Sequence, residues 1–150
     1  MNEAIAAALK GLQDNEGGPF GCVIVKDGKI VGRGNNKVTS TNDPTAHGEV
    51  MAIRDACRNL GTFQLDGCEL YTTCEPCPMC FGAIYWARLD KVYYGSTQVD
   101  AADVGFDDQF IYDEIPLPYK ERRIPFIQEF REIALEPFQE WARKQDKIDY

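Results

Sequence analysis

The sequence predicts a three-layer α/β/α fold with a central mixed five-stranded sheet, on three observations. Two β-rich runs, residues 20–25 and 30–34, are joined by Lys26-Asp27-Gly28-Lys29, and Asp-Gly between such runs is a strong hairpin signal. After the hairpin, helical and strand patterns alternate, which gives a mixed sheet covered on both faces by helices. No linker, internal repeat or low-complexity segment divides the 150 residues, so a single domain spanning 1–150 is expected.

The elements follow in order. Residues 2–13 place Ile5, Ala8, Leu9 and Leu12 at helical spacing, and Asn15-Glu16-Gly17-Gly18-Pro19 ends the run. After the hairpin, a polar loop over 35–42 leads to Asp43-Pro44. This pair predicts a helix start with Asp43 capping and Pro44 first, and the helix runs through Val50, Ile53, Ala56 and Cys57 to Gly61. Residues 68–72 read as a third strand and 91–95 as a fourth, with a helix between them from Pro78 to Ala87. Residues 98–122 read as irregular. Ile124-Pro125-Phe126-Ile127 supplies the fifth, edge strand, since its proline cannot donate to a central ladder. The last helix, over 134–147, sets Phe138 and Trp141 three apart on one face.

Composition excludes several functions. An apolar fraction of 44% and an aromatic fraction of 11% suit a globular chain, and no apolar run approaches the roughly 18 residues of a membrane span. Residues 1–9 carry Glu3 and lack a basic leader, so a cytoplasmic location is expected. The net charge is −8 and the basic residues are scattered, whereas gripping a phosphate backbone takes a basic stripe. A nucleic-acid partner is therefore not expected. Six cysteines in such a chain read as thiols and metal ligands rather than disulfides.

The chemistry centres on Cys74-Glu75-Pro76-Cys77-Pro78-Met79-Cys80. Cys77 and Cys80 have the C-x-x-C spacing that lets two thiolates hold one zinc ion. Pro78 disfavours helix at Cys77, so Cys77 becomes the N-cap, Pro78 the first helical residue and Cys80 the third. Both sulfurs then converge at a helix N-terminus, which favours thiolate. Cys74 forms a second C-x-x-C with Cys77, leaving Cys74 and Cys77 as an alternative pair, and Cys22, Cys57 or Cys68 could close a structural site as a fourth ligand.

His47 is the only histidine, and Glu49 follows two residues later. With Pro76-Cys77 and Cys80 they match the H-x-E…P-C-x-x-C pattern of zinc deaminases. Three protein ligands with one open position describe a catalytic zinc, which lowers the pKa of water from about 15.7 towards about 7. Glu49, projecting away from the ligand direction, suits a general acid/base.

On these residues the chain resembles the cytidine-deaminase-like zinc deaminases and, within them, the short bacterial guanine deaminases. The resemblance extends to Gly17-Gly18-Pro19-Phe20-Gly21, Gly34-Asn35-Asn36, Asn42-Asp43-Pro44-Thr45-Ala46-His47, Gly82-Ala83-Ile84-Tyr85-Trp86-Ala87-Arg88 and Gly105-Phe106-Asp107-Asp108. It implies hydrolysis of guanine to xanthine and ammonia, with one Zn2+ per subunit held by His47, Cys77 and Cys80 and protons moved by Glu49. Guanosine, an aminotriazine, cytosine or a tRNA base are the alternative substrates for the same site. The resemblance further implies that Asn36 binds the O6/N7 edge and that Asp108, or its neighbour Asp107, meets the 2-amino group. Phe20 and Trp86 are candidates to stack on or wall the ring. The resemblance also implies a homodimer in which residues 125–150 are exchanged, with Tyr150 over the partner's site. Gly48 departs from the alanine usual in this branch.

Overall fold

Two segments of opposite character build the centre of the chain: strands of alternating burial, and helices that place small residues against them. The computed structural model describes residues 1–149. The chain forms two compact units, Met1–Asp108 and a second beginning at Gln109.

In the first unit, helix α1 (Asn2–Gln13) precedes the hairpin β1 (Gly21–Lys26) and β2 (Lys29–Asn35). The turn carries φ of 50° at Asp27 and 75° at Gly28, the primed geometry that Asp-Gly favours. A short helix α2 (Val38–Thr41) and then α3 (Gly48–Leu60) follow. Strand β3 (Cys68–Cys74), helix α4 (Pro78–Trp86), strand β4 (Lys91–Ser96) and helix α5 (Gln98–Ala102) complete the unit. The sheet order is β2-β1-β3-β4; β1 is antiparallel to both neighbours and β3 is parallel to β4. The mixed sheet is as expected.

Alternation sorts the faces. Cys22 and Ile24 of β1 and Cys68 and Leu70 of β3 join Ala52 and Ala56 of α3 and Ile84 of α4 in the buried core. On the opposite face Gly21 lies under α1: a Cβ there would come within 2.1 Å of the Ala4 carbonyl oxygen. On β2, Gly34 lets α3 descend onto the sheet, for a Cβ would sit 2.2 Å from the Gly48 oxygen and 2.4 Å from the Ala52 nitrogen. That close approach fixes the height of the α3 N-terminus above the strands. Among the described residues no helix is long and apolar enough to cross a membrane.

The expected five-stranded sheet is corrected to four strands. Residues 124–127 pair with no strand in the described structure. Pro125 lacks a donor, and Phe126 packs instead against the Arg122 guanidinium, which also lies 4.6 Å from the Tyr119 ring centroid. The second unit holds α6 (Gln109–Glu114), a 3₁₀ turn over Tyr119–Glu121, α7 (Arg131–Ala134) and α8 (Glu136–Arg143). The helix expected over 134–147 is shortened to α8, and the separate α7 ends at Ala134 before it. The stretch from 98, read as irregular, begins with α5, where Thr97 and Asp100 form a reciprocal capping box.

Candidate functional site

Strand β3 carries the chain to Cys74, and three residues on Cys77 is the N-cap of α4 with Pro78 at its first position. This is the local geometry the prolines predict, and it puts Cys80 at the third helical position. The start of α3 differs from expectation. The Asp43 carboxylate accepts from the Thr45 N–H at 2.8 Å and from its hydroxyl at 2.6 Å, closing a local turn. Asp43 is thereby committed, and the helix begins at Gly48 with His47 as N-cap. Two helix ends therefore face each other, one presenting an imidazole and the other two thiols.

His47 Nδ1 lies 3.5 Å from Cys77 Sγ and 3.5 Å from Cys80 Sγ. One Nδ1 can carry only one hydrogen, so it cannot donate well to both sulfurs. A tetrahedral zinc with Zn–S of about 2.3 Å and Zn–N of about 2.0–2.1 Å separates nitrogen from sulfur by about 3.5–3.6 Å. The residues fit that ion. Among the described residues these three form the only such ligand group, all three donor atoms lying within 4.8 Å of one another. Cys74 turns its sulfur to the Thr97 carbonyl instead, at 3.5 Å, while Cys22 and Cys68 are in the core. Among the described residues no fourth His, Cys, Asp or Glu joins the group.

Charge is already sorted. The Cys77 thiol is held down to about 4, first by the hydrogen bond from Cys80 and then by His47, against an upward push from burial. Cys80, the donor of that pair, is pushed up. Glu49, 6% exposed at the second position of α3, has its Oε2 3.4 Å from Cys80 Sγ, and burial raises its carboxyl above the ordinary range. A carboxyl whose hold on its proton is strengthened by burial, beside this ligand group, can take up and return a proton during a reaction.

Residues 1–96 match the family model described as the cytidine and deoxycytidylate deaminase zinc-binding region. The chain belongs to this zinc deaminase family. Over its whole length it is 55% identical to the guanine deaminase of Bacillus subtilis (strain 168), covering 96% of that protein. An X-ray structure of guanine deaminase from Bacillus subtilis superposes with a TM-score of 0.96 at 56% identity, covering 99% of this chain and 95% of that one. The tRNA-specific adenosine deaminase of Aquifex aeolicus (strain VF5) is 49% identical over 78 residues, 52% of each chain. Zinc is the metal of the deaminase site.

Beside the zinc ligands of this deaminase, a cavity of about 300 Å³ opens in the first unit, and His47, Glu49 and Cys77 line it. Asn36, Phe20, Asp107 and Asp108 also line it. Asn36 is 5% exposed, and its Oδ1 accepts from the Gly18 N–H at 3.2 Å and the Val38 N–H at 3.1 Å. Those bonds fix the amide, leaving Nδ2 as its uncommitted end. Asp108 is the more buried of the two aspartates, and burial first, then the Cys77 charge, raises its carboxyl. Trp86 does not line this cavity: it ends α4, roughly 13 Å along the helix from Cys77, and it is exposed. Tyr150 lies outside the described residues.

The sequence reading missed Phe106, Glu75 and Gln98 in the cavity wall. Phe106 meets Phe20 edge-on, ring centroids 4.9 Å apart. The Thr97-x-x-Asp100 cap was the available signal for α5, and hence for Gln98.

Proposed function

We propose that this chain is a guanine deaminase, converting guanine and water to xanthine and ammonia. The observation that carries the proposal is similarity to a guanine deaminase over the whole chain, which extends past the zinc-binding region through Phe106, Asp107 and Asp108. A volume of about 300 Å³ sits at the small end of ligand pockets, roughly 300–1,000 Å³, and favours a base over a nucleoside. Four of the lining residues are carboxylic acids, Glu49, Glu75, Asp107 and Asp108, and none is Lys or Arg, which disfavours a phosphate-bearing nucleotide or tRNA.

In this mechanism His47, Cys77 and Cys80 hold the zinc. Zinc bound there acidifies water and so supplies a nucleophile at neutral pH. Glu49 takes a proton from water and returns it to the ring nitrogen beside C2. Asn36, whose Oδ1 is already occupied, offers Nδ2 as a donor to O6 and N7. Asp108 accepts from the 2-amino group as C2 becomes tetrahedral; the remaining hydroxyl proton then passes through Glu49 to the amino nitrogen, so that the C–N bond breaks, ammonia leaves and C2 becomes a carbonyl. Phe20, braced by Phe106, supplies an apolar wall for the ring.

The proposal extends to assembly: a single enzyme domain over 1–150, working as a homodimer with residues 125–150 exchanged between subunits. Phe81, Tyr85 and Trp86 of α4 and Tyr94 of β4 are exposed, as are Ile124, Ile127, Phe130, Ile133 and Phe138. Such apolar area supports a partner that covers it. The six free cysteines support a reducing, cytoplasmic setting. Product analysis with guanine, guanosine, cytosine and adenine tests the substrate: xanthine from guanine is expected, and turnover of cytosine or adenine alone overturns the proposal. Light scattering of the full chain and of a chain ending at 124 tests assembly. A dimer for the first and a monomer for the second are expected, and a monomeric full chain refutes exchange.

A further inference from the structure

The loop that carries the zinc ligand Cys77 and the segment that carries Phe106 and Asp108 are joined by a short ladder of bonds. The Glu75 N–H donates to the Ser96 carbonyl at 2.9 Å, and the Cys74 thiol donates to the Thr97 carbonyl at 3.5 Å. The third rung is a side chain: Glu75 Oε2 accepts the backbone N–H of Gln98, the first residue of α5, at 3.1 Å. From α5 the chain is pinned back on itself. The Phe106 N–H donates to Ala101 at 3.0 Å and the Gly105 N–H to Ala102 at 2.9 Å, with Gly105 at φ of 94° to make the reversal. Asp107 and Asp108 follow at once.

We propose that Glu75 is a positioning residue, its carboxylate fixing α5 so that Phe106 and Asp108 stand across the cavity from the zinc ligands. The inference rests on the guanine deaminase reading for its kinetic readout. Glu75 touches neither metal nor reacting atom in this role; it acts through the Gln98 N–H. An amide oxygen can accept that N–H as a carboxylate does, so the role needs an acceptor at this reach rather than a charge. A side-chain methyl cannot replace it. Displacing a substrate-orienting segment by about 1 Å can cost up to about 100-fold in rate.

The test compares variants of the zinc-loaded full chain. Glu75→Ala is expected to lower kcat/KM for guanine by about tenfold or more, with kcat falling through Asp108 and KM rising through the displaced cavity wall, at unchanged zinc content. Glu75→Gln is expected to recover most of the loss. Gln98→Pro removes the donor from the other side: proline is tolerated at a first helical position, and Thr97 before it is already extended at φ −95°, ψ 169°. Gln98→Ala keeps the N–H and controls for the side chain. Gln98→Pro should therefore lower kcat/KM more than Gln98→Ala does, and adding it to Glu75→Ala should cost nothing further. Amide hydrogen exchange gives a readout without turnover. Faster exchange at Gln98 and Phe106 in Glu75→Ala, with α3 amides unchanged, is expected. Wild-type kinetics in Glu75→Ala, Glu75→Gln as impaired as Glu75→Ala, loss of zinc, or unaltered exchange at Phe106 overturns the proposal. A wild-type enzyme inactive on guanine while the exchange pattern holds defeats the substrate reading and leaves the positioning role standing.

Discussion

Asn36 lets the structural and the recognition roles of one side chain be separated. Its Oδ1 accepts from two backbone N–H groups, of Gly18 and Val38, while Nδ2 has no partner among the described residues. Asn36→Ala strands both donors. With each partly buried, loss of the pair costs about 2 kcal/mol in total, a fall in Tm of roughly 4–8 °C for a chain of this size. Asn36→Asp keeps the acceptor and both backbone bonds but replaces the donor NH2 with an oxygen that repels O6 and N7. It is expected to hold Tm within about 3 °C of wild type while kcat/KM for guanine drops about 100-fold, which is about 2.7 kcal/mol of transition-state binding. Thermal melts and initial-rate kinetics on both variants decide it. Asn36→Asp with wild-type kcat/KM refutes the donor role, and Asn36→Ala with an unshifted Tm refutes the structural one.

Other perturbations reach different links in the account. Gly34→Ala forces a Cβ into the α3 backbone and should lower stability by about 1–3 kcal/mol, with activity falling as His47 and Glu49 are displaced; an unchanged melt contradicts that packing. Glu16 is held below its ordinary 4.5 chiefly by Lys37 and then by Asn35, so its contribution is present above that value and fades as pH falls through the lower, folded-state one. The stability difference between wild type and Glu16→Gln should accordingly shrink on acidification below pH 4.5, and a difference that grows there speaks against the ion pair. Removing zinc with a chelator should abolish turnover and lower Tm, and readdition should restore both.

The parts that could be read from the sequence are those whose cause is local. Asp27-Gly28 specifies its own turn, and Pro78 specifies where α4 begins, so the hairpin and the Cys77/Cys80 pair stand where expected. His47 was legible as a ligand but not as an N-cap, because Asp43 can cap a helix or close a turn with Thr45, and only the packing of α3 on Gly32 and Gly34 shows which. The residues 124–127 had strand-like composition, yet a strand also needs a partner, which the local pattern cannot report. Phe106 enters the cavity through a contact with Phe20, far away in sequence, and a single chain carries no mark of it. Trp86 shows the converse: an aromatic within the resembling segment, set beyond the cavity wall by the length of α4.

The most direct test takes zinc content and guanine turnover together on wild type and Glu49→Gln. One zinc per chain in both proteins is expected, with xanthine and ammonia formed by wild type and a rate lower by about 100- to 10,000-fold in the variant. Turnover by Glu49→Gln near the wild-type rate, or an active wild-type protein free of zinc, contradicts the account.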